Sequence, residues 1–271
     1  MAGLAGRVAL VTGAGHGQGR SHALRLAQDG ADLILLDICA DIATIGYGMA
    51  TEAELKETAR MAEQLGRRAV TGIADVRKLE EVQRVVDRGL AELGHIDIIV
   101  ANAGVLSYGF SWELSEESWD TVIDVNLKGV WTVVKAAAPS MIERGAGGSI
   151  VITSSTAGRR GAPLMAHYVA SKTGVVGLAR ALAIELGQYD IRVNTVQPAG
   201  VESAMSNDPQ VAELFAQYPD LFGPLGQHLL PTEGRLQPEQ VSESVAFLAS
   251  DATRAVTGIE FPIDRGQTAR T

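Results

Sequence analysis

The sequence predicts an α/β protein with a parallel sheet of about seven strands and helices on both faces. Short, almost continuously apolar runs alternate with longer stretches of helical periodicity, which is typical of strands that crossover helices bury on both faces. The first apolar run, RVALVT at 7–12, leads directly into the glycine-rich sequence TGAGHGQG at 12–19. No linker and no internal repeat interrupts the alternation. We therefore expect one doubly wound domain that spans residues 1–271.

The elements follow one another regularly along the chain. Strands are predicted at 7–12, 32–37, 68–73, 96–101, 149–154, 191–196 and 258–264. Helices are predicted at 17–29, 51–65, 77–93, 115–143, 163–187 and 238–251, and four of them end near Gly30, Gly66, Gly94 and Gly187, where glycine commonly terminates a helix. Two stretches break the rhythm. Residues 38–50 form a long insertion, and residues 200–235, with four of the nine prolines, are expected to cover a site.

Composition excludes several classes of protein. The net charge is −9 and the basic residues form no cluster longer than a pair, which argues against nucleic acid or an anionic membrane as a partner. The single cysteine, Cys39, excludes an internal disulfide and a cysteine-based zinc site, and we expect no bound metal. No run reaches the length of a membrane span and no secretion signal is present, so a cytoplasmic protein is expected.

Three glycines follow the first strand at its turn into a helix: Gly13, Gly17 and Gly19. Glycines here let the backbone approach a pyrophosphate, which the N–H groups of the helix N-terminus bind; a simple tight turn is the alternative. Asp37 ends the second strand about 20 residues on, where a carboxylate accepts hydrogen bonds from an adenosine ribose and repels a 2′-phosphate. We therefore predict a Rossmann fold that binds NAD rather than NADP.

Other candidate cofactor contacts lie at the same edge of the predicted sheet, because ligands of open α/β sheets bind at the carboxyl ends of the strands. Asp75 has an alternative role, as a cap for the helix that begins near Arg77. These further candidates, in the glycine-rich turn and after the third and fourth strands, are Gln18, Asp75, Val76, Asn102, Ala103 and Gly104.

A possible proton-transfer site lies in the second half of the chain. Tyr168 and Lys172 are four residues apart, so they share one face of a predicted helix. A nearby ammonium favours the tyrosinate, which would lower the pKa of Tyr168 toward neutrality. Ser155, at the end of the fifth strand, can reach the same point and bind a substrate oxygen. The alternative is a pair of surface residues and an ordinary serine at the end of a strand.

These motifs together resemble the short-chain dehydrogenase/reductase family over nearly the whole chain. The matching features are the TGxxxGxG loop from Thr12, NAG at 102–104, VNLKG at 125–129, the serine at 155 and YxxxK at 168–172. The resemblance implies that Tyr168 is the general acid and base and that Ser155 orients the substrate oxygen. It also implies that Lys172 holds the nicotinamide ribose and lowers the tyrosine pKa.

Four further residues follow from the resemblance less directly. Asn126 would complete a catalytic tetrad by supporting a water-linked proton relay, or else only satisfies helix backbone groups. Ser154 is the second choice for the catalytic serine. Val201 and Ser203 would contact the nicotinamide carboxamide and the phosphate, although Ala199 separates the proline and glycine that are adjacent in most of the family.

The glycine-rich segment and the insertion at 38–50 resemble a narrower group, the carveol-dehydrogenase-like, mycofactocin-associated members of the family. That resemblance implies a tightly held NAD that passes electrons to a separate carrier of the mycofactocin type. The insertion would slow NAD release by closing over the adenine side; the alternative is an inert surface loop. The family resemblance also implies a homotetramer, with the helices near 115–143 and 163–187 at one interface and the C-terminal strand at another.

The function expected from these features is NAD-dependent oxidation of an apolar or cyclic secondary alcohol, or reduction of the ketone, in an apolar pocket. The residues expected to form that pocket are Val105, Leu106, Tyr108, Phe110, Met205, Phe215, Tyr218 and Phe222. The alternative for the aromatic residues of 200–235 is packing against each other or against a partner subunit. A 3-oxoacyl carrier-protein reductase is a second hypothesis, but it would favour a phosphate-binding arginine where this chain has Ile38. A non-catalytic NAD-binding sensor is a third, although the complete catalytic set argues against it.

Overall fold

The computed structural model describes residues 3–223, 228–230 and 234–270, and seven strands within them form one sheet. The strands are β1 (Val8–Thr12), β2 (Asp32–Asp37), β3 (Ala69–Ile73), β4 (Ile98–Ala101), β5 (Gly148–Thr153), β6 (Ile191–Pro198) and β7 (Glu260–Ile263). Every neighbouring pair is parallel, in the order β3-β2-β1-β4-β5-β6-β7. The predicted single-domain Rossmann fold is confirmed.

The strands are apolar along their length because both faces of the sheet are covered. All five residues of β1 are buried, and alternate residues point into different cores: Leu10 into one and Val11 into the other. A strand that is solvated on one face would alternate apolar with polar residues instead. The continuous apolar runs in the sequence therefore have a direct cause in this two-sided burial.

The helices cover the two faces of the sheet and largely keep their predicted bounds. They are α1 (Gly17–Gln28), α2 (Glu52–Gln64), α3 (Leu79–Leu93), α4 (Glu116–Ile123), α5 (Gly129–Arg144), α6 (Ala166–Gly187), α7 (Pro209–Gln217), α8 (Pro219–Phe222) and α9 (Pro238–Ala249). The helix predicted at 115–143 is interrupted by a π-helical turn, Asp124–Lys128, between α4 and α5. Such a turn changes the hydrogen-bonding pattern without breaking the apolar periodicity, so the sequence does not reveal it.

Three of the four glycines predicted at helix ends adopt the left-handed conformation, with φ of +108° at Gly30, +75° at Gly66 and +92° at Gly94. The predicted helix end at Gly187 is confirmed, since Gly187 is the last residue of α6, but Gly187 does not adopt the left-handed conformation. The right-handed backbone continues through Gln188, and the chain turns left-handed only at Asp190. A non-glycine residue thus takes the strained position at this helix end.

Two irregular stretches reach the carboxyl ends of the strands. Residues 38–50 contain no helix or strand and lead into α2, which Thr51 and Glu54 begin with a capping box. The stretch at 200–235 contains α7 and α8, and its residues 224–227 and 231–233 lie outside the described residues. Within the described part of the chain, no helix combines the length and the apolar character needed to cross a bilayer.

Candidate active site

The carboxyl ends of the central strands border a cavity of about 440 Å³. The glycine-rich turn lies on one side of it, and Ser155, Tyr168 and Lys172 lie on the other. The predicted site residues that line this cavity are Gly13, Gly17, Gln18, Gly19, Asp37, Asp75, Val76, Asn102, Ala103, Gly104, Ser155, Tyr168, Lys172, Val201 and Ser203. Asn126 lies behind the wall. The fold thus brings the predicted cofactor residues and the predicted chemical residues to one cavity.

The turn after β1 depends on glycine at two positions. A Cβ atom at Gly19 would lie 1.9 Å from the carbonyl oxygen of Gly13, and a Cβ at Gly13 would lie 3.1 Å from Cα of Ala103. Gly13 also has a φ of +66°, which side chains disfavour. The turn therefore packs backbone against backbone, and the N-terminus of α1 faces the cavity.

Asp37 holds this turn as well as facing the cavity. One carboxylate oxygen accepts a hydrogen bond of 2.9 Å from the N–H of Gly15, and the other accepts one of 3.3 Å from Cys39. Arg20 fastens the other side of the turn, because its guanidinium donates to the Gly15 carbonyl and to the Thr58 hydroxyl. The role of Arg20 depends on a partner in α2, so sequence reasoning missed it.

Asp75 lies at the cavity wall in an ion pair with Arg77. Its carboxylate accepts hydrogen bonds of 3.0 Å from the Arg77 N–H and 2.9 Å from Nε. Burial opposes ionisation of Asp75, but these hydrogen bonds and the positive charge outweigh it and lower the pKa of the carboxyl group. The contact closes a short turn ahead of α3 rather than capping the helix itself, whose N-cap is Lys78.

The loop after β4 is fixed to the end of β1. The hydroxyl of Thr12 accepts hydrogen bonds of 3.0 Å from the N–H groups of both Asn102 and Ala103, and the Asn102 side chain donates to the Thr12 carbonyl at 3.1 Å. These contacts hold the two strand ends together across the cavity floor. A Cβ at Gly104 would lie 3.3 Å from Nζ of Lys172, so the loop passes close to the ammonium group.

Ser155, Tyr168 and Lys172 converge at the other side of the cavity. The Ser155 hydroxyl forms a hydrogen bond with the Tyr168 phenol. Nζ of Lys172 lies 5.5 Å from the centre of the Tyr168 ring and donates a hydrogen bond of 2.8 Å to the carbonyl of Thr153. The hydroxyl of Ser154 instead donates to the Lys172 carbonyl at 2.8 Å, so the geometry favours Ser155 over Ser154 as the partner of the tyrosine.

Burial decides the protonation of these groups. It raises the pKa of Tyr168 above the usual value for a phenol, although the Ser155 hydrogen bond opposes this, and it lowers the pKa of Lys172 to about 8. Burial thus raises the pKa of Tyr168 in this structure, and the predicted lowering by Lys172 stays a prediction. The ammonium of Lys172 also donates a hydrogen bond to the Thr153 carbonyl.

Asn126 belongs to the π-helical turn and is fully buried. Its side-chain oxygen accepts a hydrogen bond of 2.8 Å from the N–H of Val105, and its amide nitrogen donates to the Val105 carbonyl at 2.9 Å and to the Ser171 hydroxyl at 3.2 Å. The side chain of Asn126 thus satisfies backbone groups, which was the alternative left open by the sequence. Those groups belong to the loop after β4 rather than to a helix. A Cβ at Gly104 would lie 3.4 Å from its oxygen, so Asn126 remains close to the cavity.

The stretch at 200–235 contributes only part of its aromatic set to the cavity. Phe215 and Phe222 line the wall and stack on each other with ring centres 4.4 Å apart. Tyr218 and Phe110, expected in the pocket, instead meet edge to face at 5.4 Å and do not line the cavity. Their contact joins this stretch to the loop after β4. Edge-to-face packing of two aromatic rings adds stability beyond the apolar area that it buries.

A dinucleotide fits the polar groups that the wall leaves unpaired. Gln18 lies in the glycine-rich turn and lines the cavity. Its side-chain oxygen Oε1 is buried and has no hydrogen-bond partner among the described residues. Buried polar atoms in proteins nearly always have a partner, so this atom indicates a ligand. Val201 and Ser203 face the same end, where a Cβ at Gly17 would have 3.9 Å of clearance from the Ser203 side chain.

Tyr47 is a residue of this cavity that sequence reasoning missed. It belongs to the insertion at 38–50, and its phenol oxygen accepts a hydrogen bond of 3.1 Å from the N–H of Leu106. Ile42 and Met49 from the same insertion also line the wall. The only local signal is an aromatic residue between Gly46 and Gly48 in an unusually long loop, which does not reveal where the side chain points.

Comparison with known proteins identifies the family. A family model described as short chain dehydrogenase matches residues 7–213. The chain is 42% identical to a (-)-trans-carveol dehydrogenase of Rhodococcus erythropolis over 280 residues, covering all of both chains. It is 44% identical to an uncharacterised NAD-dependent oxidoreductase of Mycobacterium tuberculosis over 264 residues, which covers 97% of this chain and 96% of that protein.

The same likeness holds in three dimensions. The crystal structure of a carveol dehydrogenase from Mycobacterium avium in complex with NAD superposes with a TM-score of 0.94 at 45% identity. The match covers 99% of this chain and 100% of that one. The predicted family is confirmed, and the chain belongs to the short-chain dehydrogenases.

Proposed function

We propose that this protein is an NAD-dependent oxidoreductase that interconverts a secondary alcohol and its ketone. The observation that carries the proposal is the single cavity in which a glycine-rich turn faces Tyr168, Ser155 and Lys172. The full-length similarity to a carveol dehydrogenase and to a carveol dehydrogenase that binds NAD supports the same conclusion. An apolar, cyclic alcohol is the substrate class that best suits the aromatic and aliphatic wall.

NAD is the cofactor whose recognition the turn supports. The Asp37 carboxylate lies at the wall, 4% exposed, where it would accept hydrogen bonds from an adenosine ribose and repel a 2′-phosphate. The neighbouring Ile38 offers no positive charge to a phosphate, which also disfavours the alternative of a 3-oxoacyl carrier-protein reductase. Bound NAD supplies the hydride acceptor for oxidation, and its reduced form supplies the hydride donor for the reverse reaction.

The residues of this chain handle the proton. In oxidation, Tyr168 removes the hydroxyl proton of the alcohol while its carbon gives up a hydride; in reduction, Tyr168 returns the proton to the ketone oxygen. Ser155, already hydrogen-bonded to the phenol, orients the substrate oxygen, and Lys172 binds the nicotinamide ribose. Because burial raises the pKa of Tyr168, oxidation should accelerate as the pH rises and reduction should slow. A pH profile of kcat/KM in both directions measures this.

We also propose that the insertion at 38–50 retains the NAD. The support is that Ile42, Tyr47 and Met49 form part of the cavity wall and that Tyr47 accepts a hydrogen bond from the Leu106 N–H of the loop after β4. Deletion of residues 42–49 should accelerate NAD dissociation, measured by stopped-flow fluorescence; an unchanged rate would reject the idea. A retained cofactor requires an external electron acceptor, and a carrier of the mycofactocin type stays a prediction.

The homotetramer and the cytoplasmic location stay predictions as well. Large apolar side chains stand exposed on the helices expected at one interface: Trp119 on α4, Trp131 on α5 and Ile184 on α6. Ile184 is 82% exposed, and together with the two exposed tryptophans it lies on the helices for which the resemblance implies an interface. Sedimentation equilibrium of the purified protein would decide the oligomeric state.

The activity is tested with a panel of secondary alcohols assayed in two ways. One assay supplies free NAD and follows NADH in solution; the other supplies an artificial electron-accepting dye. NADH that accumulates over many turnovers indicates a freely exchanging dehydrogenase. Turnover with dye alone, together with NAD recovered from denatured protein, indicates a retained cofactor. Absence of turnover in both assays would favour the alternative of a non-catalytic NAD sensor.

A further inference from the structure

The loop after β4 directs a second tyrosine into the cavity. Leu106 and Tyr108 line the wall, whereas the hydroxyl of Ser107, between them, lies 2.9 Å from Nε2 of His167 on α6. The N–H of Gly109 then donates to the Leu164 carbonyl at 3.0 Å. These contacts fix the loop on both sides of Tyr108, so its side chain has a defined position in the wall.

Tyr47 reaches the same region from the insertion. Its phenol oxygen accepts the hydrogen bond from the Leu106 N–H, two residues from Tyr108 along the loop. Burial is the main cause that raises the pKa of Tyr47, and the charges of Tyr168 and Tyr108 raise it further, so the three phenols lie within electrostatic range of one another. Tyr47 and Tyr108 therefore stand at the end of the cavity where the Tyr168 phenol works.

The hydroxyl groups of Tyr47 and Tyr108 donate no hydrogen bond to the described residues. The hydroxyl proton of Tyr47 meets no acceptor in the described ranges, and the hydroxyl of Tyr108 makes no hydrogen bond there at all. Leu106, Phe215 and Phe222 line the same cavity. The Asp208 carboxylate acts electrostatically on both phenols, and Arg235 acts on Tyr108. Both side chains are half-buried at the cavity wall, so their hydroxyl groups are open to the cavity and available to a polar atom of a ligand.

We propose that Tyr47 and Tyr108 form a second polar subsite that binds an oxygen atom of the substrate remote from the reacting carbon. This inference rests on the proposed function, since it refines the substrate of the same cavity. The substrate class then becomes cyclic secondary alcohols or ketones that carry a further hydroxyl, keto or ether oxygen. Neither tyrosine takes part in hydride or proton transfer; both determine specificity.

The test compares substrates that differ only in that oxygen. Cyclohexane-1,4-diol and cyclohexane-1,3-diol are assayed against 4-methylcyclohexanol and 3-methylcyclohexanol, in which a methyl group of similar size replaces the second hydroxyl. The wild-type protein should prefer one of the diols over its methyl partner by about tenfold in kcat/KM, the worth of one well-placed hydrogen bond. The assay contains both NAD and the dye, so cofactor exchange does not limit the rate.

Three variants locate the preference. Tyr108→Phe should remove most of the preference for the diol, because it lowers kcat/KM for the diol by a larger factor than kcat/KM for the methyl compound, which makes no hydrogen bond to the hydroxyl. Tyr47→Phe should act in the same direction, with a further small loss on both compounds because the Leu106 N–H loses its acceptor. Tyr189→Phe is the matched control, since Tyr189 is 40% exposed beyond the end of α6 and should change nothing.

The proposal is overturned if the wild-type protein shows no preference for either diol, or if Tyr108→Phe lowers both members of a pair by the same factor. If no compound is turned over, the proposed function fails and the subsite is tested by binding instead. Calorimetry of the same pairs with NAD-loaded Tyr168→Phe protein should then show about tenfold tighter binding of one diol. Equal affinities would reject the subsite, independently of any activity.

Discussion

At the carboxyl ends of its strands the sheet borders a cavity of about 440 Å³, whereas at the amino ends it borders one of about 180 Å³. The smaller cavity is lined by charged groups that satisfy one another. Asp97, 1% exposed, accepts hydrogen bonds from Arg7, Arg144 and the Val8 N–H. Arg192 donates to the carbonyls of neighbouring turns.

The larger cavity differs in that some of its polar groups have no hydrogen-bond partner among the described residues, although Asp37, Asp75 and Lys172 do. Gln18 Oε1 and the hydroxyl protons of Tyr47 and Tyr108 have none in the described part of the chain. Buried polar groups that are fully paired contribute to the stability of a fold, while those left unpaired are available to a ligand. The comparison assigns binding and chemistry to the carboxyl end of the sheet and stability to the amino end.

Gly19→Ala should give the largest effect at the carboxyl end. The new Cβ would lie 1.9 Å from the Gly13 carbonyl oxygen, so the turn must open, at a cost of about 3 kcal/mol. We expect NAD affinity, measured by calorimetry, to fall by about 100-fold. Gly187→Ala is the control, because a Cβ there meets no atom within 4 Å; it should leave NAD affinity unchanged. Equal affinity in the two variants would remove the turn from the cofactor site.

Asp97→Asn should be the largest effect at the amino end. It removes the charge that two arginines share, and since both arginine side chains are 34% exposed we expect a loss of about 2 kcal/mol in the free energy of unfolding. Asp251→Asn, which removes an 83% exposed partner of Arg7, should cost less than about 0.5 kcal/mol. Urea titrations measure both. A loss of activity per folded molecule in Asp97→Asn would contradict the division between the two ends.

His22 shows how burial alone, without a charged partner, changes the pH dependence of stability. It is fully buried on α1, with Nδ1 2.8 Å from the Ser242 hydroxyl on α9, and burial lowers its pKa to about 3. His22 binds a proton below about pH 6.5 in the unfolded chain but only below about pH 3 in the folded protein. The free energy of unfolding therefore falls as the pH drops from about 6.5 to about 3. His22→Asn should reduce the pH dependence of the unfolding free energy by about 1 kcal/mol per pH unit. Parallel pH profiles of the two proteins would contradict the assignment.

The sequence predicted most of the fold because its signals are local. Continuous apolar runs identify strands such as β2, whose predicted bounds are those observed, and Tyr168 and Lys172 share a helix face by spacing alone. What was missed depends on contacts between distant residues. The π-helical turn that turns Asn126 toward Val105, the bond from Arg20 to Thr58 and the position of Tyr47 all require partners that no local pattern specifies.

The protonation of the site could not be predicted either. The four-residue spacing predicted that Lys172 lies close to Tyr168. It did not predict that both side chains are buried, or that the Lys172 ammonium donates a hydrogen bond to the Thr153 carbonyl. Desolvation depends on everything packed around a group, which no local pattern specifies.

The most direct test of the central claim replaces Tyr168 by Phe. The variant removes one hydroxyl from the cavity and leaves the glycine-rich turn intact, so NAD affinity measured by calorimetry should stay within about twofold. Alcohol oxidation, measured with both NAD and dye, should fall by about 10²–10⁴-fold, the usual worth of a general acid and base. Turnover that persists near the wild-type rate would contradict the account, because the proton would then leave by a group other than Tyr168.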